Sequence, residues 1–136
     1  MSAYTTLQTH LVSARHLHQA LKDLGFNEVE LHERDPQPLN GSMADGSTLR
    51  AEVIIRRRFI SGGFGDIGFV RNPQGRLDVV IAEQDRRQFD VAWLLRLRQR
   101  YAYHVVQDQL TQQGFSLVNE AVDANQSIRL VLRRTV

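Results

Sequence analysis

A chain of 136 residues, 42% apolar and 24% charged, has the size and balance of one globular domain. It has no cysteine, which excludes disulfides, thiolate metal sites and cysteine nucleophiles together. The formal charge of +2 is too small to argue for nucleic acid, and no apolar run approaches the ~18 residues of a membrane span.

The opening segment, Ala3 to Leu11, alternates weakly through Tyr4 and Thr6 and reads as a strand. It lacks the basic flank and apolar block of a signal peptide, so a cytoplasmic protein is expected. Ser13 is placed to cap a helix that carries Leu17, Ala20, Leu21 and Leu24 on one face, and Gly25 stops it. Phe26, Val29 and Leu31 follow as a strand with charged residues between them. Residues 34–48 hold two prolines, two glycines and several turn formers, and are expected to form an exposed loop within a single domain spanning 1–136.

Alternation returns at Ala51, Val53 and Ile55, and a glycine cluster then leads into Ile67, Phe69 and Val70. Asn72-Pro73-Gln74-Gly75 is a turn, and Leu77, Val79 and Ile81 alternate as the partner strand, which together predicts a hairpin. Residues 85–113 contain neither proline nor glycine and are read as a long helix. Its predicted apolar stripe runs through Leu94 or Leu95, Ala102, Val105, Val106 and Leu110, widened by Trp93, Leu97 and Tyr101. Arg96, Arg100 and Gln107 fall on the opposite, solvated side. Gly114 ends the helix, Phe115, Leu117 and Val118 begin a strand, Asp123–Gln126 turns, and Ile128, Leu130 and Leu132 form the last strand.

One internal echo organises these elements. Residues 20–26 and 109–115 each give a helix end, a glycine stop, an aromatic anchor and an outgoing strand. The expectation is an α+β fold, a mainly antiparallel sheet with two helices on one face. The echo suggests a ferredoxin-like β-α-β plan with an extra central hairpin.

Gly63-Phe64-Gly65-Asp66-Ile67-Gly68 spells the G-x-G-x-x-G pattern of a dinucleotide site. Here Phe69-Val70-Arg71 continue as a strand, so no helix dipole follows to hold a pyrophosphate. The glycines read as a backbone bend, and no cofactor is expected. The five histidines show no chelating spacing (His16 and His18 diverge by about 200° on a helix), and no metal is expected. Asp66, Glu83 and Asp85 are the only suggestive acids; each has the simpler reading of a cap or a turn, with Asp85 preceding the long helix. No catalytic residue is assigned.

Charge is unevenly spread. Residues 1–48 carry three basic side chains against six acids, and residues 49–136 carry fourteen against nine. Only Lys22 among all seventeen basic residues is a lysine, and arginine's planar fork suits carboxylates, phosphates and aromatic faces. On a regular strand Arg56 and Arg58 would share a face while Arg57 points away.

Three motifs carry a family resemblance: Asp66-Ile67-Gly68-Phe69-Val70-Arg71-Asn72, Gln99-Arg100-Tyr101-Ala102-Tyr103-His104, and Gln126-Ser127-Ile128-Arg129-Leu130-Val131-Leu132-Arg133-Arg134. Through them, and through Tyr4-Thr5-Thr6-Leu7 and Leu21-Lys22-Asp23-Leu24-Gly25, nearly the whole chain resembles the hypothetical chloroplast reading frame thirty-five family of cyanobacteria and algal plastids. The resemblance implies a cytoplasmic protein, stromal in algal relatives. It brings no established activity and no catalytic residues. Family members often follow the hairpin with an Asp-Trp pair, where this chain has Glu83-Gln84-Asp85, so nothing is carried over at that place.

The functional expectation is a non-catalytic, macromolecule-binding or adaptor module whose partner is another protein. Its candidate surface combines Arg56, Arg58 and Arg71 of the hairpin region with Arg96, Arg100, Tyr103 and His104 of the long helix. The alternatives are nucleic-acid binding through the arginine-rich hairpin, and an enzyme whose pocket gathers Asp66, His104 or Glu83.

Overall fold

The structure is a computed structural model and describes residues 3–122 and 128–134. In chain order the elements are β1 (Tyr4–Leu7), α1 (Ala14–Asp23), β2 (Glu30–Leu31), β3 (Gln37–Pro38), β4 (Arg50–Ala51), β5 (Val53–Ile55), β6 (Ile67–Arg71), β7 (Leu77–Ala82), α2 (Val91–Gln112), β8 (Phe115–Val122) and β9 (Ile128–Arg134). Two 3₁₀ turns, Arg57–Phe59 and Glu83–Arg87, lie between them.

Five strands form one antiparallel sheet in the order β1-β7-β6-β5-β2. The α+β class and the central hairpin are as the sequence predicts, and Asn72 closes the hairpin turn by accepting the amides of Gln74 and Arg76 on its side-chain oxygen. The topology differs from the ferredoxin-like plan. After α2 the chain does not return to the main sheet; β8 pairs with β9 in a separate two-stranded ribbon. The echo at 109–115 is therefore a helix stop without a shared sheet. The predicted turn at Asp123–Gln126 lies outside the described residues.

Period-2 alternation gives the sheet two apolar faces. Val53, Ile55, Ile67, Phe69, Leu77, Val79 and Ile81 face the helices and meet Leu17, Leu21, Trp93 and Leu97. Ile54, Val80 and Ala82 face the other way and meet Tyr4, Leu39 and Ala51. Most of residues 34–48 are exposed, but Leu39 is buried on this second face. Gly68 makes that packing possible, since a Cβ there would lie 2.6 Å from the Leu39 side chain. The β3–β4 ribbon is thus a second cover for the sheet.

The helices are positioned by local signals. Ser13 caps α1 through its hydroxyl, which accepts the His16 amide, and Gly25 (φ 102°) ends it. Asp90, not Asp85, caps α2 by accepting the Trp93 amide. The buried residues of α2 are Trp93, Leu97 and Tyr103, whereas Leu95, Ala102 and Val106 of the predicted stripe are exposed. The reason is a division of contacts. Early turns join the apolar core with Phe26 and Phe89, and later turns meet α1 through polar side chains.

Candidate functional site

The segment from Arg56 to Asp66 leaves the sheet, makes one 3₁₀ turn, and hooks back through buried Ile60 before β6 begins. The departure from strand geometry changes which arginines share a side. Arg56 turns inward, where Nε and Nη2 fork onto Glu30 at 2.8 and 3.2 Å and Nη1 reaches Asp66 at 3.0 Å. Arg57 and Arg58 are exposed, so the alternation expected of a strand does not hold here.

Asp66 is 1% exposed and ties three segments together. One oxygen accepts the Arg57 amide at 2.8 Å, and the other accepts the Asn40 amide at 2.9 Å and the Arg56 guanidinium. The paired guanidinium of Arg56 holds the Glu30 carboxyl below its ordinary range, and Glu30 in turn raises Arg56. The Tyr4 hydroxyl donates to the Asn40 carbonyl and accepts the Asp66 amide at 3.0 Å, and burial raises its pKa. Its ring passes between Gly41 and Gly65, where an added Cβ would stand 2.9 Å from it on either side.

The glycine pattern now has a physical account. The amides of Phe64 and Gly65 donate to the carboxylate of Asp85, which is 3% exposed, at 3.0–3.1 Å. Backbone donors of the kind that would meet a pyrophosphate therefore hold an anion of the chain itself. The segment then runs into β6, as the sequence predicts.

These contacts frame a cleft of about 630 Å³ whose lining includes Asn40, Arg56, Arg57, Arg58, Gly62 and Asp66. Phe59 and Phe64, beside it in the chain, are 41% and 58% exposed, and the Arg58 guanidinium lies 4.8 Å from the centre of the Phe59 ring. Sequence reasoning singled out Arg56 and Arg58 but missed Arg57, Glu30, Asn40 and Phe64. The available signal was Gly62-Gly63 so soon after the arginines, which argues against a continuing strand.

The remaining predicted residues lie elsewhere. Arg71 lines a second cleft of about 480 Å³ and forks onto buried Glu52 at 2.9 and 2.7 Å, which raises its pKa. His104 lines a third, of about 320 Å³, between α1 and α2. There Arg100 and His104 both contact Asp23, Arg100 lies 4.2 Å from the Tyr103 ring centre, and Arg15 and His16 contact Asp108. Arg96 is exposed on α2. The structure therefore joins Arg56 with Arg58, and Arg100 with Tyr103 and His104, but the seven residues do not line one cleft. Asp66, His104 and Glu83 likewise line three different clefts. Among the described residues no group of three or more histidine or carboxylate side chains is placed to hold a metal ion, and no helix is long and apolar enough to cross a membrane.

The chain is 28% identical over 135 residues to the protein named "Uncharacterized protein ycf35" of Cyanophora paradoxa, an alignment covering 98% of each chain. No solved structure matches it. The family model described as "Protein of unknown function (DUF1257)" matches residues 20–131. With so much of its length inside that model, the chain belongs to the DUF1257 family.

Proposed function

We propose that this protein is a non-catalytic binding module, working in the cytoplasm or in the plastid stroma of algal relatives, that engages another protein through its arginine-bearing surface. The observation that carries this reading is a division of labour among charges. Two of the three suggestive acids are engaged within the fold, Asp66 by Arg56 and two amides and Asp85 by two amides, and Glu52 is held by Arg71, while Glu83 is exposed. Arg57, Arg58 and Arg96 stand exposed, and arginine is among the residues enriched at protein interfaces.

Arg56, Arg71, Arg100 and His104 all contact carboxylates of the chain, so their removal tests folding as much as binding. The informative variants are Arg58→Ala and Arg96→Ala. Wild-type and doubly substituted protein, each with an unchanged melting profile, are used as bait in extract of the native host. Loss of specific partners from the double variant supports the reading, and recovery of every wild-type partner overturns it.

A second reading has its own observation in the Arg58–Phe59 stack and exposed Phe64, since an arginine beside open aromatic rings also suits single-stranded nucleic acid. That reading requires oligonucleotide affinity to fall steeply between about 50 and 200 mM salt. Flat or absent binding disposes of it.

A further inference from the structure

The three arginines that follow β5 have unequal duties. Arg56 is neutralised by Glu30 and Asp66 on the cleft wall. Arg57 gives its backbone amide to Asp66 and its Nε to the Gly63 carbonyl, which fixes the turn while its side chain remains exposed. Arg58 is exposed and laid over Phe59. The cleft therefore presents two outward cations above a wall that holds one cation and two carboxylates, so its lining as a whole has one positive charge in excess. Buried Ile60 lies within the lining, and Phe59 and Phe64, neighbours in the chain of lining residues, have exposed rings.

Resting on the binding-module reading above, the geometry points to this cleft as the docking site for an acidic protein segment with one apolar or aromatic anchor. Charge complementarity decides the class. Two exposed guanidiniums match two carboxylates, and a planar fork binds a carboxylate through two parallel N–H donors. A nucleic-acid strand makes a different demand, because tight backbone binding typically recruits about six to ten phosphates along a continuous basic track. Only Arg57 and Arg58 of the lining are turned outward, too few for such a track. The cleft volume of about 630 Å³ falls within the roughly 300–1,000 Å³ usual for ligand sites, enough for an anchor side chain. Arginine is also among the residues enriched at interface hot spots.

The test uses the full chain and three fluorescein-labelled probes read by anisotropy. The first is a short peptide with two glutamates on each side of a phenylalanine, the second has glutamines in their place, and the third is an oligouridylate. The glutamate peptide binds, and the glutamine peptide binds at least about tenfold more weakly. Arg58→Ala and Phe64→Ala, both at exposed positions, each weaken the glutamate peptide by about tenfold without moving the melting temperature. Arg98→Ala, exposed on α2, leaves it unchanged. Equal binding of the two peptides, indifference to Arg58→Ala and Phe64→Ala, absence of peptide binding, or preference for the oligouridylate each overturns the assignment. If the peptide ignores the cleft while the Arg58→Ala/Arg96→Ala bait still loses its partners, the docking assignment fails and the binding-module reading stands. If neither responds, both fall.

Discussion

Asp66 and Asp23 both sit against arginine, yet their surroundings give the two contacts different work. Asp66 is 1% exposed and accepts from two backbone amides and a guanidinium drawn from separate segments. Asp23 has a side chain 30% exposed and bridges the side chains of Arg100 and His104 from α1 to α2. The first carboxylate replaces water that cannot reach those donors. The second competes with water that is still present. An ion pair's distance alone therefore says little about its worth; what matters is the number of donors it would leave stranded.

The largest expected effect follows from removing the buried member. Asp66→Ala strands the amides of Asn40 and Arg57 and takes one partner from Arg56. It should cost about 3–5 kcal/mol, measured by chemical denaturation. A loss under about 1 kcal/mol would erase the contrast with Asp23. Next in size is the glycine that lets this corner close. Gly65→Ala places a Cβ 2.9 Å from the Tyr4 ring and 3.3 Å from Ala82, so overpacking should cost about 1–3 kcal/mol. Tyr4→Leu in the same background removes part of that clash and should recover some of the loss. Additive losses would show that the ring contact is not the cause.

What the sequence made legible follows the range of the signal. Ser13 and Gly25 bound α1 correctly because caps act within one turn, and Asn72–Gly75 marked the hairpin for the same reason. The partners of Asp66 and Asp85 were hidden, since their amides lie as far as 26 and 21 residues away in the chain. Only the 3₁₀ turn at Arg57–Phe59 tells which arginines face out, and alternation assigned the wrong pair. Leu39 could not be seen as a core residue from within a stretch of turn formers. The apolar pattern of α2 also misled, because its later turns are held by charge contacts as well as by burial.

The Glu30–Arg56 pair lies between these extremes and responds to pH. Glu30 is partly exposed, and its carboxyl is lowered from the ordinary value of 4.5, chiefly by the Arg56 hydrogen bond. A lowered folded-state value means the unfolded chain takes up the proton first as acid is added. The Glu30 contribution is thus fully present above that ordinary value and is lost as pH falls through the lower folded one. Glu30→Gln should narrow the gap in melting temperature to wild type as pH drops through this window. A gap that stays constant from neutral pH into that range would remove Glu30 from the acid response.

The smallest effect belongs to the helix groove and completes the scale. Asp23→Asn and Asp108→Asn remove the carboxylate charges that bridge α1 and α2 while keeping the side-chain size. Water can solvate Arg15, Arg100 and the histidines in their absence, so each change should cost less than about 1 kcal/mol. Salt gives the independent check. Near 1 M salt the screening length falls to about 3 Å, and the difference between wild type and these variants should shrink further. Asp66→Ala, whose cost comes from stranded backbone donors, should keep most of its penalty under the same salt. Equal salt sensitivity of the two sites would mean that water reaches Asp66 as freely as Asp23, and that the Arg56 corner is a surface pair like the other.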